Sequence, residues 1–168
     1  MDQTESRPIR TAEQRVPADW IDYNGHMNVA YYIMAFDRAL DEVYEALEFG
    51  AVSARVHRMG PMALQSQIHY LGELLEGTRF VCDVRVLDAD AKRIHIFGEM
   101  RNLDAGESLA ATYESLSVNV DLEARRSAPF RPQTAALVEA MRVAHAALPR
   151  PAQAGAALGI RRKPPGAA

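Results

Sequence analysis

Residues 20–50 read WIDYNGHMNVAYYIMAFDRALDEVYEALEFG, and the organisation of the chain follows from how this stretch is read. From Asn28 onward it is periodic. Val29, Tyr32, Ile33, Phe36, Leu40, Val43 and Leu47 recur every three or four residues and mark one apolar face. Asp37, Arg38, Asp41, Glu42 and Glu45 fill the rest of the circumference. Asn28 is a residue type that accepts first-turn amides, and Gly50 stands where a helix can stop. The spacing predicts one long helix of about five turns at 3.6 residues per turn. The part before Asn28 is not periodic. Asp22, Asn24, His26 and Asn28 stand on alternate residues there, with Gly25 among them.

On both sides of this helix the pattern changes to a period of two. IRTAEQRV (9–16) reads as a strand that stops at Pro17. MALQSQIHY (62–70) alternates, with Met62, Leu64, Ser66, Ile68 and Tyr70 on one face and Ala63, Gln65, Gln67 and His69 on the other. TRFVCDVRVL (78–87), KRIHIFGEM (92–100) and ESLAATYESLSVNVD (107–121) read as a meander joined by the turns DADA and NLDAG. After a loop, Pro132 can open a second helix that carries Leu137, Val138, Met141, His145 and Leu148 before Pro149. From Pro149 the chain is rich in Pro, Ala and Gly, and little fixed structure is expected, with Arg161-Arg162-Lys163 a solvated end. The expected division is a domain over 1–130, a helix over 131–148 packed on it, and a flexible tail over 149–168. One long helix followed by an antiparallel meander predicts an α+β fold, a curved sheet around a central helix. No phosphate-cradling glycine loop or dinucleotide fingerprint stands at a strand-to-helix join.

The 168 residues suit a single domain. Asp plus Glu (22) outnumber Lys plus Arg (19), which gives no reason to expect a nucleic-acid partner. The single cysteine, Cys82, excludes an internal disulfide and suits a reducing cytoplasm. It falls on the apolar side of its strand pattern, as a buried small hydrophobe rather than a nucleophile. The start of the chain is polar, and no apolar run approaches membrane-spanning length, so no membrane partner is expected. His57, His69, His95 and His145 are widely separated, without metal-ligand spacing, and no metal is expected.

The loop before the helix can be read as chemistry. First-turn amides of a helix lack internal partners and favour negative charge, so they can hold a carbonyl oxygen that becomes an oxyanion. Backbone amides near Asn28, Val29 and Ala30 are the candidates. Asp22 could activate water or attack the carbonyl itself, Asn24 could fix water or substrate, and His26 could polarise the carbonyl or shuttle a proton. Tyr31 points off the apolar stripe toward a substrate, while Gln65 and Gln67 share a face that could floor a cavity. The plainer alternative makes Asp22 and Asn24 turn formers, His26 a packed ring and Asn28 only a cap.

WIDYNGHMNVAYYIMAFDRALDE (20–42) resembles the hotdog-fold acyl-CoA thioesterases of the branch related to 4-hydroxybenzoyl-CoA thioesterase. A loop of the form D-x-x-G-H-x-N leads into the central helix in that family, and Asp22, Gly25, His26 and Asn28 match it. Asp22, Asn24 and His26 also match the D-x-N-x-H of plant acyl-carrier-protein thioesterases. KRIHIF and LAATYESLSVNVD look like the last strands of bacterial relatives that include betainyl-CoA thioesterases. The resemblance implies Asp22 as the catalytic carboxylate, an acyl-CoA substrate, no cofactor, and a homodimer with its site between subunits. It covers roughly residues 8–150. Two departures stand out: Gln65 and Gln67 occupy a strand where relatives often carry Glu, and Asn119-Val120-Asp121 replaces H-V-D. Trp20, Tyr23, Tyr31 and Tyr32 bracket the loop and could attract a betaine-like trimethylammonium acyl group. Arg93 and Arg126 are candidates for the CoA phosphates. A non-catalytic acyl-CoA binder and a hotdog dehydratase are the alternatives on the same fold.

Overall fold

In the computed structural model, which describes residues 6–160, the periodic stretch forms α1, Val29–Ala46. Asn28 is extended at φ −65°, ψ 145°, and its Oδ1 accepts the Ala30 amide at 3.0 Å. The buried face is Tyr32, Ala35, Phe36, Ala39, Leu40, Val43 and Tyr44. Val29 and Ile33, on the apolar face by their spacing, are 54% and 44% exposed. The helix ends before Gly50, at a turn where Glu48 takes φ 51°. Gly50 precedes α2 (Ala51–His57), which carries too few residues to show a helical period. The preceding helix helps start it: Glu45 Oε1 accepts the Val52 amide at 3.1 Å.

The expected strand over 9–16 is two short pieces, β1 (Ile9–Arg10) and β2 (Gln14–Arg15). Thr11 interrupts it. Its amide donates to the Cys82 carbonyl, and its Oγ1 accepts the Cys82 amide at 3.2 Å, so a side chain replaces a ladder rung. The longer strands are β3 (Met59–Tyr70), β4 (Arg79–Ala89), β5 (Arg93–Asn102) and β6 (Ser108–Asp121), with β7 (Arg126–Ser127) a short addition. All pair antiparallel in the order β1-β4-β5-β6-β3, while β2 joins β4 and β7 joins β6. The meander is therefore β4-β5-β6, and β3 closes one edge beside β6.

One sheet face carries α1. The ring of Phe36 stacks on Tyr113 at 5.2 Å, and a Cβ at Gly98 would stand 3.1 Å from that ring. Tyr44 donates to Ser117 Oγ at 3.0 Å. Cys82 is fully buried among the core residues, and burial pushes its thiol pKa up, away from nucleophilic use.

The strict alternation of 62–70 does not hold, because the register of β3 shifts between Ala63 and Gln65. Met62 pairs with Val118 on the face away from α1, while Ile68 pairs with Tyr113 on the face toward it. Gln65, Gln67 and His69, opposite Leu116, Glu114 and Thr112, lie on the far face. The extra residue of a bulge reverses the side on which each later side chain falls.

Pro132 opens α3, Pro132–His145, which packs against β4 and buries Thr134, Val138 and Met141. His145 bridges two strands where the β1–β4 pairing runs out: Nδ1 accepts the Val86 amide at 2.9 Å, and Nε2 donates to the Arg7 carbonyl at 3.0 Å. Residues 149–160, expected to carry little fixed structure, run back over the far face. Gln67 Nε2 donates to the Ala156 carbonyl at 2.7 Å, and the Gly155 amide donates to Glu114 Oε2 at 2.7 Å. Arg161-Arg162-Lys163 lies outside the described residues.

His145 carries a pH consequence. Burial and the nearby Arg85 charge lower its pKa, although the Arg7 carbonyl opposes them. The unfolded chain, with a histidine near pKa 6.5, then binds a proton that the folded form resists. Its contribution is complete above about pH 6.5 and declines as pH falls below that. The urea midpoint is expected to drop more steeply from pH 7.5 to pH 5 in the wild type than in His145→Gln. Equal slopes would show that His145 is not the titrating group.

Candidate active site

The loop that precedes α1 is closed by its own backbone. Ile21 and Met27 form an isolated bridge, the Asp22 amide donates to the His26 carbonyl at 3.0 Å, and the Gly25 amide donates to the Asp22 carbonyl at 3.0 Å. Gly25 sits at φ 81°, where any other residue type would be strained. Two bonds of longer sequence range fix the loop to the protein: Asn28 donates to the Trp20 carbonyl and Met27 to the Leu74 carbonyl, each at 2.8 Å.

Inside that frame the Asp22 carboxylate is held from two sides, its side chain only 11% exposed. Oδ1 accepts the Asn24 amide at 2.8 Å, and Oδ2 faces Asn28 Nδ2 at 3.5 Å. Asn28 therefore uses both ends of one amide, Oδ1 on the helix and Nδ2 on the carboxylate. His26 Nδ1 lies 4.0 Å from Asp22 Oδ1 but 3.3 Å from the Met27 carbonyl, which can only accept. The tautomer with its proton on Nδ1 fits this contact and leaves the Nε2 lone pair free.

The cap decides which first-turn amide is available. Ala30 donates to Asn28 Oδ1 and Tyr31 to the Asn28 carbonyl, both at 3.0 Å. The Asn28 amide is taken by Trp20. Among the described residues only the Val29 amide of this group has no acceptor, and it stands at the positive end of α1. Of the amides near Asn28, Val29 and Ala30 that the sequence offers for an oxyanion, only that of Val29 is left without an acceptor.

A cleft of about 330 Å³ opens beside this group. His26, Met27 and Val29 form one wall, Tyr70, Leu71, Gly72 and Glu73 the other, and Tyr32 lies between them. The Tyr32 hydroxyl donates to the Gly72 carbonyl at 3.3 Å and accepts the Leu74 amide at 3.2 Å. Burial, with the Glu73 charge a lesser cause, raises its pKa and keeps it protonated. The Asp22 carboxylate, which does not itself line the cleft, the unpaired Val29 amide and the small apolar cleft are parts of the kind that attack of water on an acyl carbonyl uses.

Other expected site residues fall elsewhere. Asn24 contributes its backbone to Asp22 while its residue is exposed at the loop tip. Tyr31 stacks on Trp20 at 5.1 Å, and Arg38 covers the Trp20 ring at 5.5 Å. Those rings are occupied by each other and by a cation of the chain itself. Tyr23 is 96% exposed, so only Tyr32 of the four bracketing aromatics lines the cleft. Gln65 and Gln67 line a separate pocket of about 380 Å³ on the far sheet face, with His95, Glu114 and residues 155–157. Arg93 is bound to Asp90, with Nε on Oδ2 at 2.7 Å, and Arg126 lies in β7; neither lines the cleft.

Tyr70, Leu71, Gly72 and Glu73 were missed by sequence reasoning. The available signal was a Gly-Glu pair directly after an alternating strand. What brings it to the helix N-terminus is long-range, since the Leu71 and Gly72 amides both donate to the Ala110 carbonyl. Among the described residues no group of three His, Cys, Asp or Glu side chains could hold a metal ion. None of the described helices is long and apolar enough to cross a membrane.

Residues 16–138 match the family model of the thioesterase-like superfamily. The betainyl-CoA thioesterase of Pseudomonas aeruginosa is 32% identical over 155 residues, covering 92% of this chain and 97% of that protein. The L-carnitine dehydrogenase/betainyl-CoA thioesterase of Ruegeria pomeroyi is 32% identical over 160 residues, which are 95% of this chain but 31% of that longer protein. A Staphylococcus aureus protein solved in complex with CoA superposes at TM-score 0.85 and 23% identity, over 94% of this chain and 98% of that one. The 1,4-dihydroxy-2-naphthoyl-CoA thioesterase from Synechocystis superposes at TM-score 0.64 and 16% identity, over 83% and 97%. At these identities the structural likeness shows the fold, the hotdog arrangement that the sequence resemblance implied.

Proposed function

The chain belongs to the thioesterase-like superfamily, and we propose that the acyl-CoA thioester it hydrolyses carries a short acyl group, seated in the cleft between Val29 and Glu73. The observation that carries this reading is the double use of Asn28, whose side chain ties the Asp22 carboxylate to the helix cap beside the open Val29 amide. Asp22 acts as general base. Water adds to the thioester carbon while its proton passes to Asp22, and the carbonyl oxygen takes its negative charge against the Val29 amide. Collapse of the tetrahedral intermediate breaks the carbon–sulfur bond, and the proton held by Asp22 returns to the CoA sulfur. His26 Nε2 orients the water.

Support for a base over a nucleophile comes from the contacts of the carboxylate. Oδ1 is committed to an amide at 2.8 Å, while Oδ2 has only the long 3.5 Å contact to Asn28 and keeps a lone pair for a water molecule. Against a dehydratase stands His26, whose Nδ1 is turned to the Met27 carbonyl rather than to Asp22. A cleft of about 330 Å³ lies at the small end of ligand pockets, about 300–1,000 Å³, which suits a short acyl chain. The relatives named betainyl-CoA thioesterases make a betaine-like acyl group the leading specific candidate. The free, buried Cys82 suits a reducing cytoplasm.

The same reading includes a homodimer. β3 is the outermost strand, and among the described residues its second edge pairs with nothing. Met62 and Leu64 on that strand are 45% and 57% exposed, and Val29 and Ile33 on α1 are also open. A two-fold partner would cover these groups and bring a second chain to the cleft.

Asp22→Asn is expected to keep the fold by circular dichroism and to lose about 10²-fold or more in thiol release from butyryl-CoA. Near-wild-type turnover in the folded variant would refute the assignment. Light scattering at micromolar concentration should give the mass of at least two chains, and a monomer would refute the shared interface.

A further inference from the structure

The cleft holds one charged group whose purpose the hydrolysis does not explain. Glu73 is its only carboxylate, and no Lys or Arg lines it. Among the described residues no hydrogen bond or ion pair engages the Glu73 side chain. Its backbone, in contrast, is held on both sides. The Gly72 carbonyl and the Leu74 amide both bind the Tyr32 hydroxyl, the Leu74 carbonyl accepts the Met27 amide at 2.8 Å, and Leu74 is fully buried. Tyr32 and Tyr70 meet edge to face beside it, their centroids 5.3 Å apart at 85°.

CoA is a polyanion, so an unpaired carboxylate beside its reacting end repels neutral-chain and acidic acyl-CoA substrates alike. That penalty disappears if the acyl group brings a positive charge. A quaternary ammonium offers no N–H to donate. It is therefore recognised by a negative charge at van der Waals distance and by aromatic surfaces, rather than by a set of directed acceptors. Glu73 with Tyr32 and Tyr70 is such a combination, and the apolar walls supplied by Met27 and Leu71 suit its methyl groups.

We propose that Glu73 selects a positively charged, methylated acyl group and that Tyr32 and Tyr70 seat its methyl groups, an assignment that rests on the thioester hydrolysis proposed above. Glu73 is then a specificity residue, with no part in proton transfer. The cation sits on the β3 side of the cleft and the thioester carbonyl on the Val29 side.

The experiment compares kcat and KM of the full-length protein on betainyl-CoA and on 3,3-dimethylbutyryl-CoA, which has the same shape with carbon in place of the charged nitrogen. The wild type should favour betainyl-CoA. Glu73→Gln should lower the betainyl to dimethylbutyryl ratio of kcat/KM by about five- to tenfold, the scale of one part-exposed charge contact, mainly through KM. Tyr70→Leu should lower the same ratio by about threefold while circular dichroism stays unchanged. Equal losses on both substrates in Glu73→Gln would overturn the assignment, because they would place Glu73 in the chemical step. An unchanged ratio, or a wild type without preference for the cation, would overturn it as well. In the last case turnover of the thioester with the uncharged acyl group leaves the hydrolase reading intact. Failure to release thiol from either substrate or from butyryl-CoA would overturn both.

Discussion

The side-chain amide of Asn28 is the joint between the start of α1 and the Asp22 carboxylate. Its oxygen closes the first turn of α1 on the Ala30 amide, and its nitrogen faces Asp22 Oδ2. A cap of this kind is worth about 1 kcal/mol to a helix, a modest sum that fixes much more than helix length. By occupying the Ala30 amide, and Tyr31 through its own carbonyl, Asn28 leaves the amide of Val29, a residue that lines the cleft, without an acceptor. One residue thus faces the carboxylate and leaves a single first-turn amide open, the one proposed above as the oxyanion donor.

The rest of the fold holds that joint still. The Asn28 and Met27 amides are bound to Trp20 and Leu74, so the loop is tied to the helix and to the segment after β3. Behind it, α1 is pressed onto the sheet by Phe36, which fits because Gly98 presents no Cβ beneath the ring. In a close-packed interior such a contact permits little sliding of the helix. The distance between the cap and the Tyr70–Glu73 wall is set by the core as a whole, and Tyr32 links the two directly through its hydroxyl.

Which parts of this were legible in the sequence follows from the range of the interactions. The long helix, its Asn28 cap and the β4-β5-β6 meander rest on local periodicity and turn chemistry, and the expected elements lie where those signals put them. Asp22, His26 and Asn28 converge because they share one short loop. The bulge in β3 was invisible, since Ala63-Leu64-Gln65 continues an acceptable alternation; the register comes from β6, and with it Gln65 and Gln67 move to the far face. The partners of the aromatic set were hidden for a related reason. Composition cannot tell that Trp20, Tyr31 and Arg38 satisfy one another, nor that Tyr70 and Glu73 complete the cleft on a segment held by the bonds of Leu71 and Gly72 to Ala110. The C-terminal segment reads as unstructured by composition, yet Gln67 and Glu114 supply partners for its backbone on the sheet.

The central claim is that a thioester carbonyl is polarised by the Val29 amide alone of its turn, and amide NMR tests it most directly. A ketone analogue of a short acyl-CoA, with a methylene in place of the sulfur, would be titrated into ¹⁵N-labelled protein and the amide proton shifts followed. The Val29 proton should move strongly downfield on saturation, while Ala30 and Tyr31, already bonded to Asn28, should change little. A large downfield shift at Ala30 with Val29 unmoved would contradict the account, since it would mean that the cap opens and another amide holds the oxygen.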